Sequence, residues 1–394
     1  MNKGKKFVIA CCCVIGIGVV LCCIGSAFGG RVQGIQLGSN GVSVYTAHGA
    51  SSAAKVENKT GEEELEKFDK ANIEIDFADV TVQPSDHYGI AYKIDERNHL
   101  SYEVKNGRLE VSNKYSSHGV TNFTVFSIGN SAWPDEGMER EYITIYIPAD
   151  SKFEDVKIHN DSGDVICESF WADDLKIKAE FGDVVLDKVE SKNATIEMSS
   201  GNLNVNAFAD GALVVTNEYG NVVFDDIKAK NMKLKINSGN YDATNVITEE
   251  LFVEDDYGDI DLQTVQTTAM KLTANSGDIS LKDVEADDLS VNNEYGNIDG
   301  SNVKATSLSG VLDSAGCNLK ELCADTITLT TEYGDIKLDL LAKLTDYSYD
   351  LETEYGDITI GENEMGESYK SLEEGKNKIT IDCDSGNIEI KGLK

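Results

Sequence analysis

The stretch Ser238-Gly239-Asn240-Tyr241 is followed nineteen residues later by Tyr257-Gly258-Asp259-Ile260, and after nineteen more by Ser276-Gly277-Asp278-Ile279. The same phase extends in both directions, with Ala315 in one glycine slot and some drift near the C-terminus. A fixed period of this length predicts stacked copies of one small unit. The glycines that we expect to form a structural turn in each copy are Gly163, Gly182, Gly201, Gly220, Gly239, Gly258, Gly277, Gly296, Gly334, Gly356 and Gly386.

The pattern inside one copy is that of β-strands. With the glycine as position 1, position 2 is Asp or Asn in almost every copy, and positions 3, 5, 13 and 15 are mostly apolar. Alternation of this kind is the period of a strand, so each copy is expected to hold two short strands separated by turns. So small a unit cannot offset the entropy of ordering its own backbone and must stack on its neighbours. The sequence therefore predicts an all-β, single-stranded β-solenoid with coils of 19 residues.

A second period is superimposed on the first. The residue before the glycine alternates between serine and an aromatic residue, as in Ser238, Tyr257, Ser276 and Tyr295. Position 17 tends to alternate in the opposite sense, with apolar residues in the serine copies and polar residues in the tyrosine copies. Either each coil has 19 residues and alternate coils pack differently, or one coil has 38 residues. Both interpretations remain open from the sequence, and we favour the first.

The tyrosines of this second period are the candidate ligand-binding residues. In 19-residue coils they recur at every second coil, about 9.6 Å apart, and an exposed row could stack on the sugar rings of a glycan. The alternative is that the rings pack at a corner of the core, beside the polar residue at position 17, and we favour that alternative. The four residues are Tyr219, Tyr257, Tyr295 and Tyr333.

Catalytic chemistry is poorly supported. All histidines and arginines precede the regular repeats, so the repeats hold neither a Ser-His-Asp triad nor an arginine clamp. Carboxylate pairs such as Asp225-Asp226 and Asp255-Asp256 are compatible with glycoside hydrolysis, but acids are so common here that coincidence is the stronger account. An outward ladder of position 2 carboxylates could bind calcium, yet the known calcium-loop patterns are absent and a turn role is favoured. We predict no enzyme activity, no metal and no cofactor.

The cysteines of the repeats are expected to be buried thiols. Cys167, Cys317 and Cys383 occupy core positions, and Cys323 lies one residue past such a position. A bond between Cys317 and Cys323 is the alternative in an oxidising exterior.

The N-terminal segment has the features of a membrane anchor. Residues 7–29 carry no charge and are long enough to cross a bilayer as a helix, and Lys3, Lys5 and Lys6 precede them. The positive-inside rule then places the N-terminus in the cytoplasm and the solenoid outside the cell membrane. A cleaved signal peptide is the alternative. The formal net charge of −34 excludes nucleic acid as a partner.

The chain divides into four expected regions. Residues 1–30 form the cytoplasmic tail and transmembrane helix, and residues 31–66 a flexible acidic spacer. Residues 67–158 form an N-terminal β capping region, in which Ala78 takes the glycine slot of a degenerate first coil and 115–139 are a loop excursion. Residues 159–394 form the regular solenoid, with a loop insertion near 361–377.

Three motifs carry a resemblance to a known family. Ile145-Tyr146-Ile147-Pro148, then Val156-Lys157-Ile158, then Ser162-Gly163-Asp164-Val165 resemble the opening motif of the exported putative adhesin family, and the later Tyr-Gly-Asp-Ile copies resemble its repeats. That family is distantly similar to the head-GIN putative auto-transporter adhesins. The resemblance covers residues 67–394 and implies a cell-surface β-solenoid with an adhesion or envelope role. It brings no established catalytic residues.

These observations favour a membrane-anchored, non-catalytic, adhesin-like binding or structural module whose partner is a glycan or an envelope protein. The alternative is an accessory or sensory protein of the envelope stress response. A carbohydrate-active enzyme is the weaker alternative.

Overall fold

The computed structural model describes residues 34–38, 41–45, 58–96, 98–115, 123–126, 140–149, 151–372 and 375–393. These residues fall into two units, a small one that contains β1, β2 and β9 and a large one that contains the other strands. The strands are β1 Gly34–Gly38, β2 Gly41–Tyr45, β3 Asn58–Glu64, β4 Lys70–Ile75, β5 Asp79–Ser85, β6 Gly89–Asp95, β7 Asn98–Lys105, β8 Arg108–Tyr115, β9 Phe123–Phe126, β10 Tyr142–Pro148, β11 Lys152–Ser162, β12 Val165–Glu168, β13 Trp171–Phe181, β14 Val184–Asp187, β15 Glu190–Ser200, β16 Leu203–Asn206, β17 Ala209–Tyr219, β18 Val222–Lys228, β19 Asn231–Ser238, β20 Tyr241–Ile247, β21 Glu250–Tyr257, β22 Ile260–Ser276, β23 Ile279–Tyr295, β24 Ile298–Ser314, β25 Cys317–Tyr333, β26 Ile336–Lys343, β27 Tyr347–Tyr355, β28 Ile358–Ile360, β29 Asn363–Gly366, β30 Ser368–Lys370, β31 Asn377–Ser385 and β32 Ile388–Leu393.

The large unit is a parallel β-solenoid, as the sequence predicted. From β11 to β25, paired residues of adjacent coils are nineteen positions apart, so that Val156 pairs with Leu175 and Leu175 with Ala194. The same offset holds from β22 through β25, where one strand of 17 residues runs through most of the coil. The 19-residue coil is therefore confirmed and the 38-residue coil is wrong.

Each coil has three paired segments rather than the two that we expected. In the coil that begins at Gly258, residues 260–263, 265–267 and 269–274 pair with the next coil, and the ladder is interrupted between them. The middle segment has only three residues, which is too short for apolar alternation to show in the sequence. Apolar side chains of all three segments fill one continuous core.

The corner between the first two segments has a left-handed backbone without glycine. Position 7 has φ between 52° and 57° in nine successive coils, and its residue type changes from coil to coil. These residues are Ser169, Lys188, Ala207, Asp226, Asn245, Thr264, Asp283, Asn302 and Glu321. The core residue at position 8 comes directly after it, as Phe208 and Val265 do, so burial of that side chain holds a corner that most residue types adopt only at a cost.

The glycine corner depends on close backbone contact. A Cβ on Gly220 or Gly239 would lie closer than 3.0 Å to the carbonyl oxygen of the glycine one coil below. The same geometry continues down to Gly163, which stacks on Ala78, the residue expected in the glycine slot of the first coil. The regular glycines are therefore aligned along one edge of the solenoid.

Strands that precede the regular repeats cover the N-terminal end. The first coil is made of β4, which pairs with β11, and β5, which pairs with β12. Beyond it, β8 pairs with β4, and β10 pairs with β5 on one edge and antiparallel with β6 on the other. Reversal of the strand direction at β6 ends the repeat and protects an edge that would otherwise be open to pairing.

The C-terminal end contains an insertion of the chain into its own stack. β31 lies between β25 and β27, and β32 lies between β26 and β28. The last coil in the sequence is thus the second-to-last coil in space. Residues 361–377, expected as a loop, include β29 and β30, which pair antiparallel with the outermost strands β28 and β27.

Part of the predicted flexible acidic spacer, residues 31–66, is structured. β3 pairs with β6, and the Leu65 amide donates a hydrogen bond of 2.8 Å to the Tyr88 carbonyl. Gly61 allows this pairing because its missing side chain leaves room for the Tyr92 ring. In the small unit, β1 pairs antiparallel with both β2 and β9, so the expected loop excursion 115–139 contains a strand.

The predicted transmembrane segment, residues 7–29, lies outside the described residues. Within the part of the chain that is described, no helix has the length and apolar character needed to span a bilayer. Cys167, Cys317, Cys323 and Cys383 are free thiols, so the Cys317–Cys323 bond is not formed, and only Cys323 is exposed.

We predict that Gly239→Ala destabilises the solenoid by about 3 kcal/mol, because its Cβ would collide with the backbone of the coil below. Urea unfolding of the full chain measures the change. Ser238→Ala, one residue away, is the control and should stay within about 0.5 kcal/mol of the parent. Equal stability of Gly239→Ala and the control would contradict the close-contact account.

Candidate ligand-binding surface

Seven aromatic side chains project from the glycine edge of the solenoid. Each immediately precedes position 1 of its coil, and each is between 49% and 74% exposed. We call them the aromatic row, which consists of Phe77, Phe181, Tyr219, Tyr257, Tyr295, Tyr333 and Tyr355.

Serine separates the members of the row in register. Tyr257 pairs with Ser238 on one side and with Ser276 on the other. The alternation of serine and aromatic residues continues through the inserted C-terminal coil, because Tyr333 pairs with Ser385 and Ser385 pairs with Tyr355. Neighbouring aromatics are therefore two coils apart, about 9.6 Å.

The interpretation of these tyrosines that we favoured from the sequence, packing at a core corner, is wrong. The core corner is filled instead by the residue at position 17, which is buried even when it is polar, as Asn217, Asn293 and Thr331 are. The sequence placed Tyr219, Tyr257, Tyr295 and Tyr333 in one row. It missed Phe77, Phe181 and Tyr355 as members, although Phe181 and Tyr355 precede a glycine of the repeat.

The buried polar residues at position 17 satisfy backbone carbonyls at the glycine corner. The Asn217 side-chain amide donates to the Gly201 carbonyl at 3.3 Å and to the Gly220 carbonyl at 2.9 Å. Asn160 does the same for Ala78 and Gly163, at 3.1 Å and 3.0 Å. One amide thus serves two successive coils, so such a donor is needed only at every second coil. This accounts for much of the alternation at position 17.

Asp255 occupies the same interior position without an amide. It is 1% exposed, its carboxyl oxygens have no well-aligned hydrogen bond among the described residues although the Tyr257 backbone amide lies nearby, and one of them lies 3.1 Å from where a Cβ of Gly258 would be. Burial raises the pKa of Asp255 to about 7. In its neutral form this carboxyl has an O–H and can donate to a glycine carbonyl, as the Asn217 amide does. Asp255 cannot act with Asp256 as a catalytic pair, since it faces the core.

The residues at position 2 form a hydrogen-bond ladder on the outside of the same corner. The side-chain oxygen of Asp164 accepts from the Asp183 amide at 2.9 Å, and Asp183 in turn accepts from the Asn202 amide at 2.7 Å. The ladder continues to Asn297 and weakens at Gly316, which has no side chain to extend it. The Asp or Asn at this position is therefore explained by turn structure. No group of acidic, histidine or cysteine residues suited to a metal ion occurs among the described residues.

An acidic residue immediately precedes every aromatic of the row. The seven acids are Asp76, Glu180, Glu218, Asp256, Glu294, Glu332 and Glu354. Near the N-terminal end one of them is neutralised, because Lys178 pairs with Glu180 at 2.6 Å. Near the other end, the charge of Asp313 raises the pKa of Glu332 above its usual value, which shows how closely the carboxylates are spaced.

Shallow pockets flank the row on both sides. One of about 420 Å³ lies beside Tyr333 where Ser314 and Gly316 leave space, and one of about 320 Å³ is lined by Asp256, Glu294 and Asp313. A larger groove of about 710 Å³ follows the left-handed corner at position 7, away from the row. Its position 7 residues, Ala207, Asp226, Asn245, Thr264 and Asp283, do not alternate regularly as the row does, and we therefore take the aromatic row as the candidate site.

The fold and this edge define a class of protein, a repetitive β-solenoid with a regularly spaced row of exposed aromatic side chains. Residues 70–264 and 243–391 match the Toastrack DUF4097 family, and the chain belongs to that family. The predicted relation to the head-GIN proteins is not supported by this match. No curated protein matches the sequence at a significant level.

Several solved structures are similar to the chain at low identity. A putative adhesin from Parabacteroides merdae is 16% identical, with 69% of this chain and 96% of that chain covered and a TM-score of 0.27. A putative adhesin from Bacteroides fragilis is 15% identical, with 71% and 96% covered and a TM-score of 0.27. A putative lipid binding protein from Parabacteroides distasonis is 15% identical, with 71% and 96% covered and a TM-score of 0.32. None of these three names is that of an enzyme.

We predict that Asp255→Asn stabilises the protein by about 1–3 kcal/mol at pH 8, because an amide can donate to the glycine carbonyls of the corner, as Asn217 does, and a buried ionised carboxylate cannot. The folded-state pKa of about 7 exceeds the ordinary value of 3.8, so the folded state holds its proton more tightly than the unfolded state. The stability of the parent therefore falls as pH rises from about 4 to about 7, and the advantage of the variant grows over that window.

Urea unfolding at pH 5 and pH 8 tests this prediction. Asp256→Asn is the matched control, since it removes the same charge from a neighbouring residue that is not buried in the core. The same pH dependence in both variants would contradict the assignment to the buried carboxyl.

Proposed function

We propose that this chain is a non-catalytic, adhesin-like binding module whose ligand lies along the aromatic row. The observation that carries the proposal is the strict alternation of serine with an exposed aromatic residue. The core does not require it. Phe181 is accompanied inside by Ala179 and Phe77 by Ile75, whereas Tyr219 is accompanied by Asn217. The aromatics keep their spacing although the interior residue changes its character.

The expected ligand is an extended polymer, and we propose a glycan. Seven aromatics at two-coil spacing make a row of about 58 Å, much longer than a compact small molecule. The flat faces of sugar rings stack on aromatic side chains, and the spacing is close to the length of a disaccharide unit in an extended chain. Each ring contributes little alone, so affinity would come from many contacts that repeat in step with the polymer.

We also propose that the module is held at the cell surface. The support is the uncharged segment 7–29, the lysines before it, and a strongly acidic remainder that favours solubility. An envelope protein is the alternative partner. The accessory or sensory role in the envelope stress response stays a prediction.

We predict that the double variant Tyr257→Ser/Tyr295→Ser folds normally and loses glycan binding at least about tenfold, since each lost stacking contact contributes about 1 kcal/mol. Serine is compatible with this corner because Ser238, Ser276 and Ser314 occupy it in the coils between. Circular dichroism and unfolding check the fold, and a glycan array followed by calorimetry with the full chain checks binding.

Phe252→Ser is the matched control, because Phe252 is an exposed aromatic that lies outside the row. It should bind like the parent. If no glycan binds the parent, or if the double variant binds as well as the control, the proposed function is wrong.

A further inference from the structure

The acids beside the aromatic row restrict the kind of ligand that the row can hold. Position 18, directly before the row, is acidic in all seven aromatic coils. In the coils stacked from Glu294 to Glu354, position 18 of the serine coils is acidic as well, with Asp313 before Ser314 and Asp384 before Ser385. Because Leu312 pairs with Thr331, and Thr331 with Cys383, the acids next to these residues stack in the same order. The stacked column is Glu294, Asp313, Glu332, Asp384 and Glu354.

This acid column has few neutralising partners. Lys178, three residues before Phe181, is the lysine that pairs with Glu180. No other aromatic of the row has a lysine at this position, and near the column the residues there are Asn292, Thr330 and Glu352. Carboxylates about 4.8 Å apart repel one another, in agreement with the raised pKa of Glu332. A ligand with regularly spaced positive charges would relieve this repulsion, and an anionic ligand would increase it.

We infer that the row from Tyr257 to Tyr355 binds an extended polysaccharide of amino sugars whose nitrogens are free ammonium groups rather than acetamides. The inference deepens the proposed function and rests on it. Sugar rings lie against the tyrosines while their ammonium groups face the carboxylates of the column. An ammonium group near a tyrosine face is further stabilised by the ring.

A basic polypeptide is the competing cationic partner, and the backbone disfavours it. Extended peptides usually bind by adding a strand to an open sheet edge. Along the row the main chain is already paired, because the Gly258 amide donates to the Ser276 carbonyl at 3.1 Å and the Gly277 amide to the Tyr295 carbonyl at 3.0 Å. A polysaccharide needs only rings and carboxylates, and it repeats as regularly as the coils do.

The test compares two hexasaccharides that differ only in N-acetylation, a β-1,4-linked glucosamine hexamer and its fully N-acetylated form. Calorimetry with the full chain at pH 5.5 should give at least tenfold tighter binding for the glucosamine hexamer, and added salt should weaken that binding. The variant Glu294→Gln/Glu332→Gln should lose most of this preference and bind the acetylated hexamer as the parent does. The control Asp287→Asn/Asp288→Asn removes two exposed charges elsewhere on the coil and should leave the preference intact.

The possible results separate the inference from the proposed function. Equal affinity for the two hexamers, lost in Tyr257→Ser/Tyr295→Ser, would overturn the ammonium inference and leave the aromatic row as a glycan site. Poly-lysine binding that exceeds glucosamine binding and depends on the same tyrosines would overturn the inference in favour of a basic polypeptide. Binding of neither hexamer would overturn the inference, and the glycan array then decides the proposed function. Binding of the glucosamine hexamer that is unaffected by the tyrosine variant would overturn both.

Discussion

Close contact between stacked glycine backbones is the constraint on which the solenoid depends. A side chain at Gly220 or Gly239 would collide with the carbonyl below, so glycine occupies position 1 in every coil from Gly163 to Gly356 except the coil of Ala315. The same contact leaves glycine carbonyls beside the core, where an unpaired acceptor is costly. Asn217 satisfies these carbonyls from inside, and the Asp or Asn of position 2 links the coils from outside. Positions 17, 1 and 2 are therefore parts of one hydrogen-bonded corner.

Because of this corner, the residues on the inside of the edge and those on its outside can follow independent patterns. The interior needs one donor for two carbonyls, which sets an approximate two-coil period. The exterior has its own two-coil period, and the two differ at the N-terminal end, where Asn160 accompanies Ser162 rather than an aromatic. If the outer rings only filled space left by the interior, they would follow Asn160 and be absent beside Ala179. They do neither, so filling of space left by the interior residues does not account for the exposed aromatics.

The sequence predicted features that repeat with a constant residue type. The 19-residue coil, the glycine edge and the turn role of position 2 derive from such residues. The left-handed corner at position 7 was not predicted. Four of the nine residues there are Asp or Asn, the types that adopt this backbone most readily, but Ser169, Lys188 and Ala207 are not, and the nine share only a buried apolar neighbour at position 8. The orientation of the tyrosines was also mispredicted, since an aromatic beside a polar residue is ordinarily the one that is buried. Here the Asn217 amide has two carbonyls to bind inside, and that outweighs burial of the neighbouring ring.

The C-terminal insertion determines both the order in which the last coils stack and the spacing of the aromatic row. If the chain had stacked in sequence order, Tyr355 would lie directly on Tyr333, with the rings of adjacent coils about 4.8 Å apart. Placing β31 between β25 and β27 inserts Ser385 and restores the two-coil spacing. The outermost coil, formed by β27 and β28, pairs with β31 and β32, which are the last strands in the sequence. It can therefore join the stack only after those strands have folded. The apparent loss of period after Gly334 is thus a change in the order of stacking, and the geometry of the edge is continuous from Phe77 to Tyr355.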